Sequence, residues 1–173
     1  MAFGFADSSV TYEPKDEPRI TPVVSAVVEY LSSMCARDGS VVLPDEGSRE
    51  YEFYVFESIT EEEMMEYLEK LLNVYSCSES ELIMALAYLH RSEQANLGLK
   101  VNLFNVKLLF TIAFTLAVKF NEDLVYSNGY YSQQSGLPLD VLNRLEFCLF
   151  QSVGYHLNVT PEEFEQLQNC VFA

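Results

Sequence analysis

Basic side chains are scarce in this chain. Ten lysines and arginines stand against 26 aspartates and glutamates, for a formal net charge of −16. Neutralising phosphates takes clustered cations, so this balance argues against nucleic-acid binding and against an anionic membrane surface. Glycine and proline are also few, at seven and six in 173 residues, and strand-like alternation is rare. Both shortages favour helices over a sandwich or barrel. The four cysteines, Cys35, Cys77, Cys148 and Cys170, form no C-x-x-C pair, and neither His90 nor His156 flanks any of them. Zinc is therefore not expected. Nothing resembles a phosphate loop, a nucleophile elbow or a His-Glu metal motif, so neither catalysis nor a cofactor is expected. The first residues lack a basic region followed by an apolar run, so no signal peptide is expected. The expectation is a reduced, intracellular protein of the nucleus and/or cytoplasm.

What is present is an apolar fraction of 49%, ordinary for one globular domain with a real core. It is most concentrated in FNVKLLFTIAFTLAVKF, residues 104–120, where only five of seventeen side chains are polar. Four of these, Lys107, Thr111, Thr115 and Lys119, recur every four residues. Each such step turns a helix by about 400°, so the stripe drifts only about 40° per repeat. A helix apolar nearly all round must be enclosed. Lipid is excluded because eleven residues separate the two lysines, whereas a span needs roughly 20. The segment reads as the central helix of an all-α domain.

Residues 1–20 read as a flexible lead-in. Thr21-Pro22 opens a peripheral helix over 21–37, with Val24, Val27, Val28, Leu31 and Cys35 on its inner face. Residues 38–59 read as an acidic linker holding a short extended stretch, YEFYVFES. Between Asp45 and Glu69 there are ten acids and one base, Arg49. These form either a solvated face or a surface for a basic partner. Thr60 with Glu63, Ser78 with Glu81, and Thr160 with Glu163 have capping-box spacing. They open three helices, the first with Glu61, Glu62, Glu66 and Glu69 facing water. Asn102 or Asn105 would cap the central helix. Residues 121–136 read as a loop with Tyr126, Tyr130 and Tyr131. A further helix follows Pro138 and ends before Gly154. That makes five helices over 60–169, one helix before them, and a tail at 170–173. His90, at a helix end, reads as a surface or capping residue.

Two charges are oddly placed. Lys119 ends the apolar helix, and Glu146 stands among Leu142, Leu149 and Phe150 one turn away. Such ions cost several kcal/mol each, in order of magnitude, unless paired. They could pair with each other, Lys119 could pair locally with Asp123, or both could face an apolar-rimmed surface that binds a partner.

LAVKFNED (116–123), NGYYSQQSGL (128–137) and LNRLEFCLFQSVGYHLNVTPEEFE (142–165) resemble consecutive segments of a cyclin box. The YY pair and the Gly-Leu before LNRLE are similar to the P-type, or U-type, cyclins. The resemblance implies a five-helix cyclin box around the central helix, preceded by one extra N-terminal helix. It also implies a regulatory subunit that is not itself an enzyme. Such a subunit binds a cyclin-dependent kinase and holds its C-helix and activation loop in the active arrangement. On the matching positions, Lys119 and Glu146 would contact kinase backbone, and Phe120, Phe150, Tyr155 and Leu157 would be apolar contacts with Phe147 beside them. Asp123 would pair with activation-loop arginines. The helix after Thr60, EEEMMEYLEKLL, lacks the Met-Arg-Ala-Ile-Leu docking sequence of some relatives. The acidic 45–69 stretch matches no feature of the family; its expected role is to recruit a basic substrate or inhibitor. A transcription-type adaptor built on the same box is the alternative.

Overall fold

The computed structural model describes residues 20–37, 41, 43–55, 57–95 and 99–173. The N-terminal lead-in therefore lies almost wholly outside the described residues. Seven α-helices and one short 3-10 turn are found among them, with no strand: α1 (Pro22–Ala36), the turn Glu50–Phe53, α2 (Glu61–Tyr75), α3 (Ser80–Gln94), α4 (Val106–Asn121), α5 (Asn128–Ser135), α6 (Leu139–Ser152) and α7 (Pro161–Val171).

Helix α4 is the axis. Every residue from Leu108 to Val118 is buried. α3 and α6 pack along it, α5 rests on α2 and α6, and α1 packs on α2 and α3. The stripe of polar residues on α4 is satisfied in a regular way. Thr111 and Thr115 donate to the carbonyls of Lys107 and Thr111, at 2.6 and 2.8 Å. Their remaining lone pairs meet the hydroxyls of Tyr67 and Tyr75 on α2, at 3.0 and 3.3 Å. The Lys107 ammonium lies over the Tyr67 ring, 4.7 Å from its centroid. Desolvation drives the Tyr67 and Tyr75 hydroxyls well above the ordinary phenol range, so they stay protonated and able to donate. The Tyr75 ring also stacks on Phe114, with centroids 5.5 Å apart.

Helix starts follow their caps where no outside group intervenes. Thr21 accepts from Val24 N, with Pro22 as the first helical residue. Thr60 and Glu63 form the complete reciprocal box. The other two boxes are not complete. Ser78 N is bonded to Glu122 Oε1 from the end of α4, and Ser78 Oγ accepts from Ser80 N instead. Thr160 accepts from Glu163 N, but the Glu163 carboxylate is taken by Arg91 at 2.7 Å. Neither asparagine caps α4 with its side chain. Asn105 Oδ1 accepts from Asn102 N, and Asn102 Oδ1 accepts from Phe104 N, tightening the turn before the helix.

Several expectations are corrected. Glu69 does not face water: it is buried and accepts from Thr21 N at 3.1 Å, fastening α1 to α2. The linker is not alternating. Phe53 and Tyr54 are both buried, and Val55 N donates to Phe104 O at 2.7 Å; Phe56 lies outside the described residues. Within 121–136 there is a helix, α5, started by Ser127 accepting from Tyr130 N and stopped by Gly136 in the left-handed conformation. α7 runs on to Val171, which is buried. His90 is half-buried and its Nε2 bonds to Tyr30 Oη at 2.9 Å, joining α3 to α1.

Burial pushes the His90 pKa below its ordinary 6.5. The unfolded chain then binds more protons than the folded one between that depressed value and 6.5. This contribution to stability is complete above the window and is lost as pH falls through it. Urea unfolding between about pH 7.5 and pH 5 should show a steeper loss of stability for the wild type than for His90→Gln. Identical pH slopes would refute the burial account of His90.

Candidate functional site

The end of α4 brings the oddly placed charges together. Lys119 Nζ contacts Glu146 Oε1 directly and donates to Asn128 Oδ1 at 2.8 Å. Asn128 Nδ2 donates to Glu146 Oε2 at 2.7 Å and to Asn143 Oδ1 at 2.8 Å. The local Lys119–Asp123 pair is not formed: Asp123 is exposed, past the end of the helix. The Lys119 and Glu146 side chains remain 29% and 13% exposed, so the pair is drawn in but not sealed. An ammonium has three donors, and two are used. Each Glu146 oxygen accepts one hydrogen bond and has a lone pair left. The pair thus offers both a donor and an acceptor, which is what a peptide backbone needs from a partner.

Beside it is an open groove of about 370 Å³ between α4, α5 and α6. Lys119, Glu146, Phe120, Phe147, Phe150 and Leu157 all line it, joined by Asn128, Asn143 and Leu116. Phe120 and Phe147 keep 51% and 55% of their surface in solvent. Aromatic side chains of this kind are enriched at protein interfaces relative to the rest of a surface.

The far wall is set by α3. Tyr88 Oη donates to Leu157 O at 2.8 Å, and Arg91 donates to His156 O and Asn158 O, each at 2.8 Å. This fixes the segment after α6 and places Leu157 in the groove. Gly154 and Tyr155 are both left-handed, with φ of 66° and 60°. The double turn reverses the chain and leaves Tyr155 57% exposed, its ring edge-on to Phe150 at 5.1 Å. A left-handed tyrosine is unfavourable by about 1–2 kcal/mol. Tyr155 thus borders the groove through Phe150, while Asp123 stands outside it. Past Asp123, Leu124 is 89% exposed and extends the apolar surface. Among the residues described, no cluster of His, Cys, Asp and Glu could hold a metal, and no helix is long and apolar enough to cross a membrane.

Asn128 and Asn143 are the groups that sequence reading left without a role. Asn143 is one turn before Glu146 on α6 and could be found from helical spacing. Asn128 could not, because it belonged to a segment with no apolar period.

A cyclin family profile matches residues 25–157, from within α1 to the far wall of the groove. The chain belongs to the cyclin family. It is similar to Cyclin-U4-1 of Arabidopsis thaliana, 30% identical over 146 residues, which cover 82% of this chain and 72% of that protein. Cyclin-P4-1 of Oryza sativa subsp. japonica is 28% identical over 149 residues, covering 85% and 69%. The PHO85 cyclin-like protein psl1 of Schizosaccharomyces pombe is 29% identical over 100 residues, covering 57% and 41%. The similarity to U- and P-type cyclins agrees with the resemblance carried by the YY pair and the LNRLE helix.

Within this cyclin the ion pair should behave as a coupled unit. Lys119→Met strands a half-buried carboxylate and should cost about 1–3 kcal/mol in urea unfolding. Adding Glu146→Leu should recover part of that loss, because the stranded charge goes with it. A double variant whose cost equals the sum of the two single variants would contradict the coupling.

Proposed function

We propose that this cyclin is a regulatory subunit that binds a cyclin-dependent serine/threonine kinase through the Lys119–Glu146 groove. In this reading it holds the kinase C-helix and activation loop in the active arrangement and contributes no catalytic group of its own. The observation that carries the reading is the meeting, in one groove, of an oriented ion pair and uncovered aromatic rings. A helix from the partner can lay its apolar face on Phe120, Phe147 and Phe150, while its terminal backbone groups take the free donor of Lys119 and the free lone pairs of Glu146. Tyr155 and Leu157 extend the apolar contact on one side. Asp123, just past the end of α4, is exposed and free of any ion pair among the described residues, so its charge is available to activation-loop arginines. The relative named as a PHO85 cyclin-like protein supports a kinase-associated role.

The test is capture from a panel of purified cyclin-dependent kinases, followed by a phosphorylation assay. The wild type should capture and activate at least one, and Lys119→Ala with Glu146→Ala should abolish capture while leaving helical content intact. A double variant that still captures and activates would remove the groove from the mechanism. Capture without activation would favour the adaptor reading.

The acidic face completes the proposal. Glu61, Glu62 and Glu66 are exposed on α2 and are not committed to internal pairs, unlike Glu52, Glu63 and Glu69. With the exposed Asp45, Glu46 and Glu57, they are the part of the 45–69 stretch open to a basic substrate or inhibitor. Reversing Glu61, Glu62 and Glu66 to lysine should weaken phosphorylation of a basic substrate and spare kinase capture. If both or neither changed, that role would fall.

A further inference from the structure

Asn128 touches both members of the ion pair with different atoms of one planar group. Its Oδ1 accepts from the Lys119 ammonium at 2.8 Å, and its Nδ2 donates to Glu146 Oε2 at 2.7 Å. The second Nδ2 hydrogen goes to Asn143 Oδ1 at 2.8 Å. An amide accepts only at its oxygen and donates only at its nitrogen, so between a cation and an anion the Asn128 orientation is set by the charges themselves. The amide also spreads the pair. Lys119 spends one donor on Glu146 and one on Asn128, and the two Glu146 oxygens are divided between the same partners. Each charge therefore sits in a defined direction, with one donor of Lys119 and one lone pair on each Glu146 oxygen still open.

Helix α5 holds this amide in place. Asn128 is its first residue, directly after the Ser127 cap. Tyr131 anchors the helix in the core, stacked edge-on against Tyr75 at 4.8 Å, and Tyr130 Oη donates to Val74 O at 2.6 Å. Tyr131 is the one fully buried residue of the helix, and with the Tyr130 bond it fixes where Asn128 stands.

We propose that Asn128 is a positioning residue for partner binding: it orients Lys119 and Glu146 so that their unused donor and lone pairs face the groove. The proposal rests on the kinase-binding reading of that groove, and it predicts a response to substitution that a helix-start role does not. An aspartate in the first turn of a helix is favourable to the helix. If Asn128 served only α5, Asn128→Asp would bind the kinase as well as the wild type. If it orients the pair, Asn128→Asp sets a second carboxylate against Glu146 and loses the donor.

The experiment measures affinity for the kinase captured by the wild type, for Asn128→Ala and Asn128→Asp, across pH. At about pH 7.5 Asn128→Asp should lose about tenfold or more and bind worse than Asn128→Ala. Towards about pH 5.5 its deficit relative to wild type should shrink, because a proton shared between the two carboxylates restores the missing donor. The charged groups bonded to it are Lys119 from α4 and Glu146 from α6, and the buried Tyr131 phenol lies near enough to Glu146 to feel its charge. Wild-type affinity in Asn128→Asp, or a deficit that is independent of pH, would overturn the proposal. A readout without kinase separates it from the wider reading. The Lys119 ammonium signal in NMR should be protected from proton exchange in the wild type and lose protection in Asn128→Ala. Unchanged protection would overturn the positioning role even where capture is lost. If the wild type captures no kinase, the kinase reading falls while this signal still decides whether Asn128 holds the pair.

Discussion

Lys119 ends a helix enclosed on nearly every side, and its ammonium cannot leave water without partners. Much of the surrounding structure answers that one constraint. α6 supplies Glu146, α5 supplies Asn128, and Asn143 satisfies the hydrogen that Asn128 has left over. Further back along the same stripe, Thr111 and Thr115 return their hydroxyl protons to their own helix and accept from tyrosines of α2. A polar stripe through a core is tolerated because each member is bonded, and its members thereby fix the register of α2, α5 and α6 against α4.

The same constraint creates the surface. A fully buried pair would close the gap between α4 and α6 and end there. This one is left partly open, flanked by Phe120 and Phe147, with the Tyr88 and Arg91 bonds of α3 holding Leu157 opposite. Aromatic rings left in water are unfavourable in the isolated chain relative to a covered state. A partner that covered the rings would relieve that cost. Family membership and groove composition therefore point the same way, although they are independent observations.

The helical class, the axial role of α4 and the apolar faces of α1, α2 and α6 were legible because periodicity and local caps decide them. Thr21 and Thr60 cap as their spacing says, since nothing else competes for their partners. Ser78 and Thr160 do not complete their boxes because Glu122 and Arg91 arrive from distant parts of the chain. Glu69 was misassigned to solvent for the same reason: its partner is Thr21 N, 48 residues away. Helix α5 was invisible because NGYYSQQS has no apolar period and is held by Tyr131 alone among its buried residues. With α5 unseen, Asn128 had no place near Lys119, and the pair looked like two charges when it is a network of four side chains.

Hydrogen–deuterium exchange with and without the captured kinase tests the groove most directly. The account predicts that protection on binding falls on the end of α4 through Leu124 and on residues 143–157, where the ion pair and its aromatic rim lie. Protection confined to α1, α2 or α7, with those two segments unchanged, would contradict it.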